Sequence, residues 1–138
     1  MGATLTNRDL QNLQEAFQLL VYCNVPQEIY KAAIPMNKRL ASELIIIKPT
    51  RRTIQLEKCF VKLLDSLPER AVIKDIDVLF NPIYRVDVLK TLTSAYKQRQ
   101  FSLIWPGSYA DGKLIYSEEG YPDYRIYEIA NYDIMCVI

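Results

Sequence analysis

The stretch Ala71-Val72-Ile73-Lys74-Asp75-Ile76-Asp77-Val78-Leu79-Phe80-Asn81-Pro82, read together with Phe101-Ser102-Leu103-Ile104-Trp105, decides the fold. Ala71-Val72-Ile73 opens a strand that leads on through Lys74 to Phe80. Asn81-Pro82 has the form of a helix start, with Asn as cap and Pro at the first position. Val88, Leu89, Leu92, Ala95 and Tyr96 then fall on one helical face. Phe101 to Trp105 is the next strand, ended by Pro106-Gly107. Strand, helix and strand at this spacing imply a crossover between parallel neighbours.

Working upstream, Leu56, Phe60, Leu63, Leu64 and Leu67 line a helix closed by Pro68. Before it stands Leu44-Ile45-Ile46-Ile47, a short run apolar on both faces, which predicts a central strand of a parallel sheet. Gln27 to Ala33 predicts a short helix that ends before Pro35. The first element predicts a longer amphipathic helix. Thr6 is its cap, and Leu10, Leu13, Ala16, Phe17, Leu20 and Val21 form its apolar stripe.

Downstream, Asp111-Gly112 is a hairpin turn between Tyr109 and Leu114-Ile115-Tyr116. Gly120-Tyr121-Pro122 marks another turn, Tyr124 to Ile129 an edge strand, and Ile134 to Ile138 a last strand. The fold class is therefore α/β with a mainly parallel sheet, in one domain. N-terminal helices occupy residues 1–40, an α/β core 41–106, and a hairpin with C-terminal strands 107–138.

Composition fits a folded domain: 138 residues, half of them hydrophobic and 24% charged. It also excludes chemistry. There is no histidine, so Ser–His, Cys–His and His-ligated metal mechanisms are out. The only glycines are Gly2, Gly107, Gly112 and Gly120, which rules out a glycine-rich phosphate loop between residues 3 and 106. Cys23, Cys59 and Cys136 have no metal-ligand spacing and read as buried free thiols in a reducing compartment. With a polar N-terminus and no apolar run of about 20 residues, a cytoplasmic location without membrane contact is expected. The net charge of +1 is no nucleic-acid footprint, although Lys38, Arg39, Lys48, Arg51 and Arg52 face only Glu43.

Parallel α/β sheets bind ligands outside the carboxyl ends of their strands. At the first expected end lie Lys48, Pro49, Thr50, Arg51, Arg52 and Thr53, in the place of a P-loop but without its glycines. They read either as an anion or nucleic-acid-backbone site at a helix N-terminus or as a solvated basic loop. At the second, Asp75 and Asp77 are two apart, so on one strand they share a face, as metal-holding acids would. Capping and salt bridging are the alternative. At the third, Trp105 before Pro106-Gly107-Ser108-Tyr109 is either a base-stacking ring or rim packing. Six of the ten tyrosines lie between residues 109 and 132, which reads either as an interaction surface of Trp105, Tyr109, Tyr121, Tyr124, Arg125 and Tyr127 or as residues that favour strands.

The order and spacing of several pieces resemble one family. They are Ile76-Asp77-Val78-Leu79-Phe80-Asn81-Pro82, Asp87-Val88-Leu89, Ile104-Trp105-Pro106-Gly107-Ser108-Tyr109, Asp111-Gly112-Lys113-Leu114-Ile115-Tyr116 and Gly120-Tyr121-Pro122-Asp123-Tyr124-Arg125-Ile126-Tyr127. Together they resemble the small P-loop-type F component of BREX bacteriophage-defence systems. The resemblance implies a small three-layer AAA-like domain. It also implies binding to larger defence proteins: a large ATPase, a phosphatase-like component or a methyltransferase. The chain departs from the family at its phosphate loop and at Lys74, which stands where the Walker-B-like acid is expected. Those departures point to a degenerate, non-catalytic interaction subunit with no cofactor. A nucleotide-binding subunit with an atypical phosphate site for ATP and magnesium, and a DNA-contacting accessory, are the alternatives. Assembly with further copies is compatible with each.

Overall fold

A computed structural model describes residues 2–11 and 18–138. The chain opens with strand β1 (Ala3–Leu5) and a short helix α1 (Asn7–Gln11). Thr6 caps that helix through the Asp9 N–H at 3.1 Å. The expected helix does not extend to Val21, because Leu19–Tyr22 is strand β2. Leu13, Ala16 and Phe17 lie outside the described residues. The reason is tertiary. Leu19, Val21 and Tyr22 are buried among strands on both sides, and a strand covered on both faces needs an unbroken apolar run.

Helix α2 (Gln27–Ala32) falls where expected and is followed by the two-residue strand β3 (Ile34–Pro35). The strand expected at Leu44–Ile47 is instead the end of helix α3 (Asn37–Ile45). Its burial follows Met36, Leu40 and Leu44, a repeat of four that only a helix presents on one side. Helix α4 (Arg52–Asp65) buries Leu56, Cys59, Phe60 and Leu64. Strand β4 (Val72–Lys74) is shorter than expected. Asp75 turns into the left-handed region at φ 54°, and Asp77–Phe80 forms a 3₁₀ turn. Asn81 does act as a cap, but of the 3₁₀ turn Pro82–Tyr84. The long helix α5 (Val88–Gln98) starts later, with Asp87 accepting from the Lys90 N–H at 3.1 Å.

Strand β5 (Ser102–Ile104) precedes a three-stranded antiparallel sheet of β6 (Ser108–Ala110), β7 (Lys113–Tyr116) and β8 (Arg125–Glu128). Asp111 and Gly112 both have positive φ, 48° and 76°, as the tightest hairpin turn requires. Strand β9 (Ile134–Val137) ends the described fold.

The large sheet is wholly parallel in the order β1-β9-β2-β5-β4-β3. Two parts of the expected organisation change. The N-terminal region contributes three strands and does not merely cover the sheet. β9 belongs to the middle of the sheet, between β1 and β2, and is no appendage. Successive residues of each strand enter different cores. Val21, Ile73, Leu103 and Cys136 join one with α3, α4 and α5, around Leu40, Phe60 and Leu92. Tyr22, Val72, Ile104 and Val137 join the other with Leu10 of α1 and Ile29 of α2. Both faces are covered, so the architecture is three-layered α/β/α. Among the described residues no helix is long and apolar enough to cross a membrane.

Candidate functional site

The carboxyl edge of the large sheet carries Cys23-Asn24 after β2, Lys74 to Asp77 after β4 and Trp105 to Gly107 after β5. The Lys48–Thr53 segment is not part of it. It joins α3 to α4 and follows no strand, so the P-loop-like placement is corrected. Within it Arg52 is already used. Its Nε donates to the Ile47 carbonyl at 3.0 Å and its Nη2 to the Ile45 carbonyl at 3.3 Å, satisfying carbonyls at the end of α3. Lys48, Thr50, Arg51 and Thr53 are exposed.

At the end of β4 the two acids do not share a face, because the strand stops at Lys74. Lys74 Nζ donates to the Tyr30 carbonyl at 3.0 Å and lies 4.0 Å from the centre of the Tyr30 ring. Asp75 is exposed. Asp77 accepts from Tyr116 Oη at 3.0 Å on one oxygen and from Asn37 Nδ2 at 3.3 Å on the other. Asn37 in turn accepts from the Val78 N–H at 2.8 Å. This carboxylate is a hub joining α3, the 3₁₀ turn and β7. Burial first, and the Asp77 bond and charge second, push the Tyr116 hydroxyl well above the usual tyrosine range.

Trp105 is buried and makes the joint between the two sheets. Its Nε1 donates to the carbonyls of Ser108 and Ile115, at 3.2 and 3.1 Å. A Cβ at Gly107 would overlap the Ile115 carbonyl, so only glycine allows this approach. Phe80 stacks on Tyr116 with centroids 3.8 Å apart and meets Trp105 edge-on at 5.6 Å. Trp105 meets Tyr127 at 6.1 Å, and Tyr127 meets Tyr132 at 5.9 Å. The aromatic series runs through the core, so Trp105 is no free stacking platform.

The tyrosine-rich segment divides in the same way. Tyr116 and Tyr127 are buried, while Tyr109, Tyr124 and Tyr132 are half-buried. Tyr121 is the exposed one, at 60%. Tyr109 Oη accepts from the Gly112 N–H at 3.2 Å and braces the hairpin. Arg125 donates to the carbonyls of Pro122 and Tyr124. Tyr132 Oη donates to Asp87 at 2.7 Å. Tyr127 Oη sits near Asp87 and the Val88 N–H without a well-formed bond, and burial with the Asp87 charge pushes it up to about 12. An open groove of about 450 Å³ lies over these residues, lined by Arg85, Val86, Asp87, Arg125, Ile126 and Tyr132.

Strand β8 is the edge strand expected between Tyr124 and Ile129. Ile129 N–H donates to the Gly112 carbonyl, which makes Lys113–Glu128 a non-hydrogen-bonded pair. By alternation Arg125 and Tyr127 bond to β7, whereas the N–H and C=O of Ile126 and Glu128 point away from it. The Ile126 side chain is itself 49% exposed. The pairing register shows which backbone groups of this edge face outward.

Among the described residues no group of three or more Cys, Asp or Glu is placed to hold a metal ion. Asp77 accepts from Tyr116 and Asn37, and Lys74 is turned to the Tyr30 carbonyl. Cys59 and Cys136 are buried and Cys23 half-buried, all as free thiols. No family model, curated protein or solved structure matches this chain.

Proposed function

We propose that this chain is a non-catalytic interaction subunit of a BREX-type antiphage defence system, built on a degenerate AAA-like core. Setting β1 aside, the parallel strands in chain order run fifth, first, fourth, third and second across the sheet. The first of them, β2, is central and leads into a helix, as the strand before a P-loop does. The connecting segment Cys23-Asn24-Val25-Pro26 is four residues long and has no glycine. That is the degenerate phosphate-loop position, in place of Lys48–Thr53.

One observation carries the reading. The Walker-B-like acid Asp77 joins three elements through Tyr116 and Asn37, while among the described residues the outer edge of β8 has no strand neighbour beside exposed Ile126. An interaction module needs an accessible edge or patch, and an exposed edge accepts a strand from a partner. The partners proposed are a large ATPase, a phosphatase-like component or a methyltransferase of the defence system.

The test is affinity purification of the tagged chain from its native host, with the wild type beside an Ile126→Pro variant. Proline there removes an outward N–H and leaves the bonds to β7 in place. The expected result is co-purification of a large defence subunit by the wild type, at least tenfold weaker for Ile126→Pro at an unchanged melting temperature. Recovery of no defence subunit by a folded bait, or millimolar-or-better binding of ATP with magnesium by calorimetry, overturns the proposal.

A further inference from the structure

A second surface, at the corner between α3 and α4, combines exposed apolar side chains with unpaired cations. Ile45, Ile46 and Ile54 are exposed by 71, 78 and 78%. A single exposed isoleucine is ordinary, but three within ten residues, at the end of α3 and in the first turn of α4, mark an interaction site. The corner is held by the chain itself: Arg52, in the first turn of α4, binds the carbonyls of Ile45 and Ile47. The isoleucines are thus presented on a fixed frame.

The surrounding charge is mainly positive, with Glu57, one turn beyond Ile54, turned to Ser94 and Gln98. Lys38, Lys48 and Arg51 are exposed. Arg39 and Arg52 bond to backbone carbonyls, which leaves their charge uncompensated. Glu43, the one acid among residues 38–52, is bridged to Lys62 at 3.2 Å. We propose that this corner docks an acidic segment of a partner protein that carries large apolar side chains. The isoleucines would bury against those side chains, and the cations would meet the carboxylates around them.

The composition of the corner selects this occupant over others that are anionic. Nucleic acid offers a phosphate backbone and base faces, which three isoleucines neither stack on nor neutralise. A bilayer-binding face carries Trp, Phe or Leu, whereas Leu40 and Leu44 of α3 are buried and the corner exposes no aromatic ring. This surface is independent of the β8 edge.

The test is photocrosslinking from p-benzoylphenylalanine installed at position 46 of the full chain in its native host, with the crosslinked peptides sequenced by mass spectrometry. The expected product is one segment of one protein, with excess Asp and Glu and at least two large apolar residues. Crosslinking should drop at least tenfold in Ile45→Ser/Ile54→Ser and in Arg51→Glu, both exposed changes that leave the melting temperature unchanged. A basic or uncharged segment, crosslinks scattered over many proteins, a second copy of this chain, DNA, phospholipid or no adduct overturns the proposal. So does crosslinking that persists in both variants.

Discussion

Asp77 and Tyr127 show how single side chains decide between chemistry and architecture. Two acids two residues apart suggested a shared metal face, but that inference needs the strand to continue past Lys74. Asp75 at φ 54° ends it, and a backbone reversal of this kind leaves little trace in residue type. Asp77 is then taken up by Tyr116 and Asn37, partners 39 and 40 residues away in sequence, which no local pattern announces. Tyr127 yields a pH prediction. Burial and Asp87 keep it neutral up to about pH 12, whereas an unfolded tyrosine ionises near pH 10. Between those values the unfolded chain loses its proton first, so stability is intact below pH 10 and falls as pH rises towards 12. The loss from this residue should be about 1–3 kcal/mol. Urea midpoints at pH 9 and pH 11.5 check it. Tyr127→Phe should change stability by less than about 1 kcal/mol at pH 9, since the hydroxyl makes no well-formed bond, and should flatten the alkaline fall. Tyr116 and Tyr132 shift in the same direction, so part of the slope remains.

Among the elements, legibility followed how local the cause was. α2, α4, the Asp111-Gly112 hairpin and the edge strand β8 were readable because their signals lie within the segment: a 3.6-residue stripe, or two turn residues that accept positive φ. Leu44–Ile47 was misread because a continuous apolar run fits a buried strand and a partly exposed helix end equally well. The separation lies in Leu40 and Met36, one and two turns upstream. β2 was misread in the opposite sense, since Leu20 and Val21 continue a helical spacing that begins at Leu10. The helical assignment of α3 makes a paired prediction. Leu44→Ala should cost about 2–5 kcal/mol, because Leu44 is packed in the core. Ile46→Ser should stay within about 0.5 kcal/mol, because that side chain faces water. Two denaturation curves suffice to check this. A comparable loss for both residues would restore the buried strand.

At the scale of the whole molecule, the α/β class and the parallel sheet were legible although one of the strands used to infer them is a helix. Alternation of apolar strands with amphipathic helices survives the loss of one member. Strand order was not legible, because the pairing of β9 with β1 and β2 joins the last residues to the first across more than a hundred positions. Read in sequence, Ile134 to Ile138 looks like an addition to a finished core. In the fold, Ile134, Cys136 and Val137 are fully buried, and the strand supplies hydrogen bonds on both edges. Removing residues 134–138 should therefore abolish cooperative folding. It leaves β1 without a partner, strips one edge of β2 and uncovers both cores at once. The expected readout is loss of the sigmoidal urea transition and loss of slow amide exchange in β2 and β5. Ile126→Pro, whose only target is the outer edge of the small sheet, should keep both. A truncated chain that still unfolds cooperatively would mean that the sheet closes without β9, and that the stability of the large sheet resides in β2, β5 and β4 alone.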